Sequence, residues 1–185
     1  MRVISGIAKG TKLETLNGNN TRPTLDRVKE ALFNILQQNI LDAVVLDLFS
    51  GSGALGIEAI SRGAKFSIMC DKSNEAIRII ERNIKKTHFE ENTKIIKNDY
   101  IKALNSLQEY KFDIIFIDPP YEAKYGVDAI NKIIELNLLS KNGIIVLETD
   151  NEKRELENLE KIDDVNVYDL RKYGRVHLIF LNRKG

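Results

Sequence analysis

The sequence is poor in the residues that build metal centres and covalent nucleophiles. Its 185 residues include two histidines, His88 and His177, and one cysteine, Cys70. So few ligands argue against a structural zinc site and against a Cys–His nucleophile pair. A single cysteine excludes an internal disulfide and fits a reducing, cytoplasmic compartment. Cys70 closes the apolar run 66–70 and reads as a small core hydrophobe. No apolar stretch reaches the roughly 18 residues that a membrane span needs. The opening Met1-Arg2-Val3-Ile4-Ser5 lacks the apolar core of a signal peptide. Neither a metal nor a membrane is therefore expected. The net charge is only +1, which gives no global nucleic-acid signal. Prolines number three, and two of them, Pro119 and Pro120, are adjacent.

What is present describes an ordinary globular chain. Hydrophobic residues make up 43% and charged residues 30%, enough for a real core in one domain with a small appendage. A monomer is the default. Charge is unevenly spread. Residues 1–40 carry six bases (Arg2, Lys9, Lys12, Arg22, Arg27, Lys29) against Glu14, Asp26 and Glu30. Residues 171–185 carry five bases and no acid, whereas 150–164 carry seven acids against three bases. Two readings fit: ordinary solvated faces, or a basic patch where the chain ends meet.

Segments 2–7 and 12–16 flank Ala8-Lys9-Gly10-Thr11 and read as a small basic hairpin. Gly10 supplies the positive φ of its turn. Leu25, Val28, Leu32, Ile35 and Leu36 recur at helical spacing, with Thr24 as the expected N-cap. From residue 43 strands and helices alternate. Strands are expected at 43–49, 65–70, 93–97, 112–117 and 143–148, and helices at 54–62, 74–87, 100–107, within 124–139, and near 152–159. Segments 165–170 and 176–181 close the chain as an antiparallel hairpin across Tyr173-Gly174. This alternation predicts an α/β fold with a doubly wound, mostly parallel sheet of seven strands, preceded by an N-terminal hairpin and helix.

Three strand ends carry ligand-type residues. Asp47-Leu48-Phe49-Ser50-Gly51-Ser52-Gly53-Ala54-Leu55-Gly56 is a strand, a glycine turn and a helix start, with the G-x-G-x-x-G spacing of dinucleotide sites. Asp47 would repel a pyrophosphate but attract a cationic amino group. That leans away from NAD and towards S-adenosylmethionine, which carries an ammonium and a sulfonium. Asp71, at the next strand end, can accept both ribose hydroxyls of either nucleoside, or simply stabilise a helix N-terminus. Asp99, in Asn98-Asp99-Tyr100, can accept from an adenine amino group or cap a helix.

The fourth constellation is Asp118-Pro119-Pro120-Tyr121, after the apolar run 112–117. Both prolines end a strand, since neither donates to a ladder. An acid and a ring are thereby fixed at the carboxyl end of a central strand, where open α/β sheets bind ligands. The arrangement suits a planar base with an exocyclic amine. The Asp118 carboxylate and Pro119 carbonyl can accept its two N–H groups. Tyr121 can stack on the base, worth about 1–3 kcal/mol. By themselves these residues do not choose between adenine and guanine.

Together DLFSGSGALG, Asp71, Asn98-Asp99 and DPPY resemble the motifs of class I S-adenosylmethionine-dependent methyltransferases, and DPPY resembles their amino-methylating group. RVISGIAKGTKL, RPTLDRVKEALFNIL and RKYG resemble the RsmD family of bacterial 16S rRNA (guanine-N2)-methyltransferases. This resemblance spans nearly the whole chain. It implies S-adenosylmethionine as donor and a guanine of 16S rRNA, free or in a small-subunit assembly particle, as acceptor. It divides the chain into an extension, 1–40, and a methyltransferase domain, 41–185. By carry-over Asp47, Gly51 and Gly53 hold the methionine part, Asp71 the ribose and Asp99 the adenine. Phe49, Ser52, Lys72, Asn98 and Thr24 complete the expected cofactor set. Asp118, Pro119, Pro120 and Tyr121 are the expected catalytic group. Arg2, Lys9, Lys12, Arg22, Arg27 and Tyr173 are the expected RNA contacts, although the hairpin is poorer in bases than the family pattern. The competing readings are an adenine methyltransferase, a glutamine-amide methyltransferase, an NAD-dependent oxidoreductase and a non-catalytic RNA-binding module.

Overall fold

The computed structural model describes residues 1–16, 23–120 and 125–184, with side chains in the first helix from residue 26 onward. One seven-stranded sheet runs in the order β3-β2-β1-β4-β5-β7-β6. The strands are β1 (Val44–Asp47), β2 (Phe66–Asp71), β3 (Thr93–Lys97), β4 (Phe112–Ile117), β5 (Leu139–Thr149), β6 (Val165–Tyr173) and β7 (Val176–Arg183). Strands β1 to β5 pair in parallel. β7 pairs antiparallel with both β5 and β6. The carboxyl ends of β1, β2, β3, β4 and β5 therefore share one edge, and Thr149 opposite His177 brings the β6–β7 turn to it as well.

Helices α1 (Pro23–Ile35), α2 (Ala54–Ser61) and α3 (Asn74–Thr87) cover one face. There Phe33, Ile57 and Ile80 pack with Val45, Phe116 and Val146. Helices α4 (Tyr100–Asn105), α5 (Tyr125–Glu135) and α6 (Glu152–Leu159) cover the other. There Leu104, Ile130 and Leu159 pack with Leu46, Ile115 and Ile117. Strand side chains alternate between faces, so buried strands read as continuous apolar runs. Cys70 is buried as expected, and burial pushes its thiol far up.

The N-terminal segment differs from the expected hairpin. Only Arg2 and Lys12 form a bridge, backed by Val3 N–H to Thr11 O (3.0 Å) and Leu13 N–H to Met1 O (2.9 Å). Gly10 N–H also reaches back to Val3 O (2.9 Å), but the donors of Ile4, Ser5, Ile7 and Ala8 turn to α2. Ile4 and Ser5 N–H donate to the Glu58 carboxylate at 2.8 and 3.0 Å, and Ala8 N–H to Ser61 Oγ at 3.0 Å. Glu58 is fully buried and also meets Lys29 (3.0 Å) and Arg62 (2.8 Å). Val3 and Leu13 enter the same core as Phe33 and Phe116. Gly10 has φ +89°, as its turn requires.

Other boundaries shift for local reasons. α1 begins at Pro23, a residue suited to a first helical position, so Thr24 lies in the first turn rather than at the cap. α4 ends at Asn105, two residues early. α5 lies within its expected span and ends at Glu135, shortly before the left-handed Asn137 (φ +52°), and β5 opens at Leu139, four residues earlier than expected. β6 and β7 run past their expected ends.

Candidate active site

The site lies along the shared carboxyl edge. After β1 the chain turns tightly, with Gly53 N–H donating to Ser50 O at 2.7 Å. Gly51 and Gly53 have φ +54° and +76°, a region that disfavours side chains. A Cβ on Gly53 would lie 2.9 Å from Met69 Sδ, and one on Gly56 2.7 Å from Ser67 Oγ. Gly53 and Gly56 thus let α2 start close against β2, while Gly51 serves the turn through its positive φ.

Each strand end presents its acid differently. Asp71 accepts Gly51 N–H at 2.9 Å and Ser73 N–H at 2.8 Å, which fixes it beside the turn. Asp99 caps α4 by accepting Lys102 N–H at 3.0 Å, and that bond holds its carboxyl below the usual range. Asp47 is 1% exposed and accepts Gly56 N–H at 3.2 Å. Burial first, then Asp71, pushes its pKa up to about 7. The half-buried Asp118 is held well above the carboxylate range by loss of water around its carboxyl, then by the charges of Glu148 and Asp47.

Two cavities meet here. The first, about 520 Å³, is lined by Phe49, Gly51, Asp71, Lys72, Asn98, Asp99, Asp118, Pro119 and Pro120, among others. That volume suits a small-molecule ligand. The second, about 180 Å³, lies between the sheet and α1, with Asp47, Ser52, Lys29 and Met1 in its wall. Phe49, Gly51, Asp118 and Glu148 line both. All the cofactor candidates with described side chains therefore converge, except Gly53, which shapes the turn from behind. Thr24, whose side chain is not described, and Tyr121 lie outside what can be placed.

Three contributors were not singled out from sequence. Glu148 is the penultimate residue of β5, as Asp118 follows β4, and the acid after Ile144-Ile145-Val146-Leu147 was the available signal. Tyr100 and Tyr125 line the larger cavity and form a ring cluster with Phe49, with centroids 5.1–6.5 Å apart. Tyr100 stood next to Asn98-Asp99. Nothing marked Tyr125 but its aromaticity.

Among the RNA candidates, Arg2, Lys9 and Arg27 are exposed and line one cavity of about 580 Å³ with Asp26 and Glu30. Arg2 lies 3.7 Å from Asp26. Lys12 is exposed on the bridge. Tyr173 packs half-buried against the α1 face. Arg22 lies outside the described residues.

The family model described as conserved hypothetical protein 95 matches residues 1–182. YlbH of Bacillus subtilis, provisionally named an rRNA methyltransferase, is 37% identical over the full length of both chains. Ribosomal RNA small subunit methyltransferase D of Haemophilus influenzae is 36% identical, over 83% of this chain and 80% of its own. The solved structure of yhhF from Escherichia coli, provisionally named a methyltransferase, superposes with a TM-score of 0.85 at 28% identity, covering 100% of this chain and 98% of the other. A doubly wound sheet with this strand order and a glycine turn after β1 is a class I S-adenosylmethionine-dependent methyltransferase fold. Within that class the chain belongs to the RsmD family.

Proposed function

We infer that this protein transfers a methyl group from S-adenosylmethionine to the exocyclic N2 of a guanine in 16S rRNA. The observation that carries this reading is the charge of the larger cavity: among the described residues of its lining, Asp71, Asp99, Asp118 and Glu148 face one base, Lys72. Such a lining favours a cation and opposes a pyrophosphate, so the residues fit S-adenosylmethionine and not NAD. When bound, that donor supplies an electrophilic methyl group on a sulfonium.

The side chains then divide the work. Asp47, with the Gly51–Gly53 turn, receives the ammonium end. Asp71 accepts from the ribose and Asp99 from the adenine, with Phe49, Tyr100 and Tyr125 as apolar walls. Ser52, Lys72, Asn98 and Thr24 complete this set. Asp118 and the Pro119 carbonyl accept the two N–H groups of the target amine, with Pro120 fixing the backbone and Tyr121 stacking on the base. Both acceptors favour a pyramidal nitrogen whose lone pair can attack. As that nitrogen takes up the methyl group the donor would supply, Asp118 would accept the proton it loses, and its raised pKa suits a proton acceptor. Positioning alone can lower such a barrier by roughly 7–11 kcal/mol.

The RNA is received at the N-terminal segment by Arg2, Lys9, Lys12, Arg22 and Arg27, with Tyr173 at the β6–β7 turn. The substrate is 16S rRNA, free or within a small-subunit assembly particle, and the enzyme works as a cytoplasmic monomer. Among the described residues no helix is long and apolar enough to cross a membrane. Mass spectrometry of rRNA nucleosides from a deletion strain tests the reading. Loss of one N2-methylguanosine, restored by complementation, is expected; an unchanged profile refutes it.

A further inference from the structure

The acceptor stretch alone does not distinguish guanine from adenine, but its neighbour in the sheet can. β4 and β5 run parallel with Ile117 opposite Leu147. Asp118 and Glu148 follow as the next pair of residues along these strands. Phe116 and Val146 pack on the α1 face, and Ile117 and Leu147 on the other. The next pair therefore returns to the α1 face, and both carboxylates line both cavities. β1 and β2, with the glycine turn and Asp71, lie on one side of β4, while β5 lies on the other. Glu148 is thus the carboxylate beside Asp118 on the side away from β1.

Guanine presents two adjacent donors on its pairing edge, N1–H and the N2 amine. Adenine presents a donor beside an acceptor, its N6 amine next to a bare N1 lone pair. An ionised carboxylate accepts and cannot donate, and its roughly four lone-pair sites leave room for more than one partner. Two carboxylates side by side therefore match guanine twice over. With adenine, one of them meets a lone pair. We propose that Glu148 accepts N1–H of the target base while Asp118 accepts N2–H, and that this pair selects guanine over adenine. The proposal rests on the methyltransferase reading. The raised pKa of Asp118 fits it, because Glu148 is the first charge opposing ionisation there. Guanine's two donors offset that repulsion, whereas adenine's N1 adds to it.

The test uses 2-aminopurine, which keeps the exocyclic N2 amine but has a lone pair at N1. The full-length protein is assayed with 16S rRNA ligated around a synthetic segment carrying guanine or 2-aminopurine at the mapped position. The wild type should prefer guanine by about ten- to a hundredfold in kcat/KM, the discrimination of one well-placed hydrogen-bonding pair. Glu148→Gln can turn its amide to donate to N1, so its preference should fall to near unity through a gain on 2-aminopurine. Glu148→Asp should restore the preference at a lower rate. Equal wild-type rates on both RNAs overturn the proposal without any variant. An unchanged preference in Glu148→Gln also overturns it while leaving the methyltransferase reading intact. No wild-type transfer to either RNA overturns both.

Discussion

Two buried acidic regions sit on the same face of this sheet and are built in opposite ways. Glu58 has donors on every side: the Ile4 and Ser5 amides, Lys29 and Arg62. Asp118 instead faces the charges of Glu148 and Asp47, and Asp47 is offered the Gly56 amide at a long 3.2 Å. The first arrangement satisfies its charge within the fold, and so fastens the N-terminal segment to α2. The second leaves the cost of its charge to be met by something cationic or donor-rich that arrives later. A compensated carboxylate marks a joint in the architecture, and an under-compensated one marks a place for a ligand.

The contrast can be broken most sharply at Asp118. Asp118→Ala should lower methyl transfer by at least about a thousandfold, while calorimetry still detects S-adenosylmethionine binding; abolished binding would place Asp118 on the donor side. Glu58→Ala should act on folding instead, lowering stability by about 3–5 kcal/mol in urea titration because Lys29 is left buried and unpaired. A drop of under about 1 kcal/mol would mean that the clamp is solvated and worth no more than a surface pair.

Titration sharpens the comparison further. Asp47 ionises near pH 7 in the empty fold, held up first by burial. A bound cation favours the ionised form, so S-adenosylmethionine affinity should rise between about pH 6 and 8, by up to about tenfold for one group. Asp118, also held above the carboxylate range, lies in the same environment, so Asp47→Asn should flatten only part of the rise; a profile identical to wild type would remove Asp47 from that role. The smallest effect is expected outside both regions. Lys9→Ala and Lys12→Ala should each reduce the salt slope of RNA binding by up to about one unit for each phosphate left unneutralised, and unchanged slopes would clear the segment of any part in holding RNA.

Most of the doubly wound sheet was legible because β1, β2 and β4 are mainly apolar runs that end in or lead to an acid, and because glycines and prolines mark several ends. Asp47, Asp71, Asp99 and Asp118 could be singled out from those endings alone. Glu148 obeys the same rule at β5, yet no familiar motif surrounds it, so periodicity placed it only as the last residue of a strand. The N-terminal hairpin was legible only in part, for the opposite reason. Its alternation and Gly10 favoured a full local ladder; the Arg2–Lys12 bridge keeps a short piece of it, but the Ile4, Ser5 and Ala8 donors were claimed by Glu58 and Ser61, more than fifty residues away. Local pattern cannot report a long-range acceptor.

The strand order also bears on how the chain is made. β7 follows β6 in sequence but lies between β5 and β6. Until residues 176–183 have left the ribosome, the apolar second half of β5 keeps one flank of unpaired amides and carbonyls. A nascent chain paused before that point would offer a template for pairing with another copy. Pairing of β7 is therefore what covers that flank and protects the chain from its neighbours.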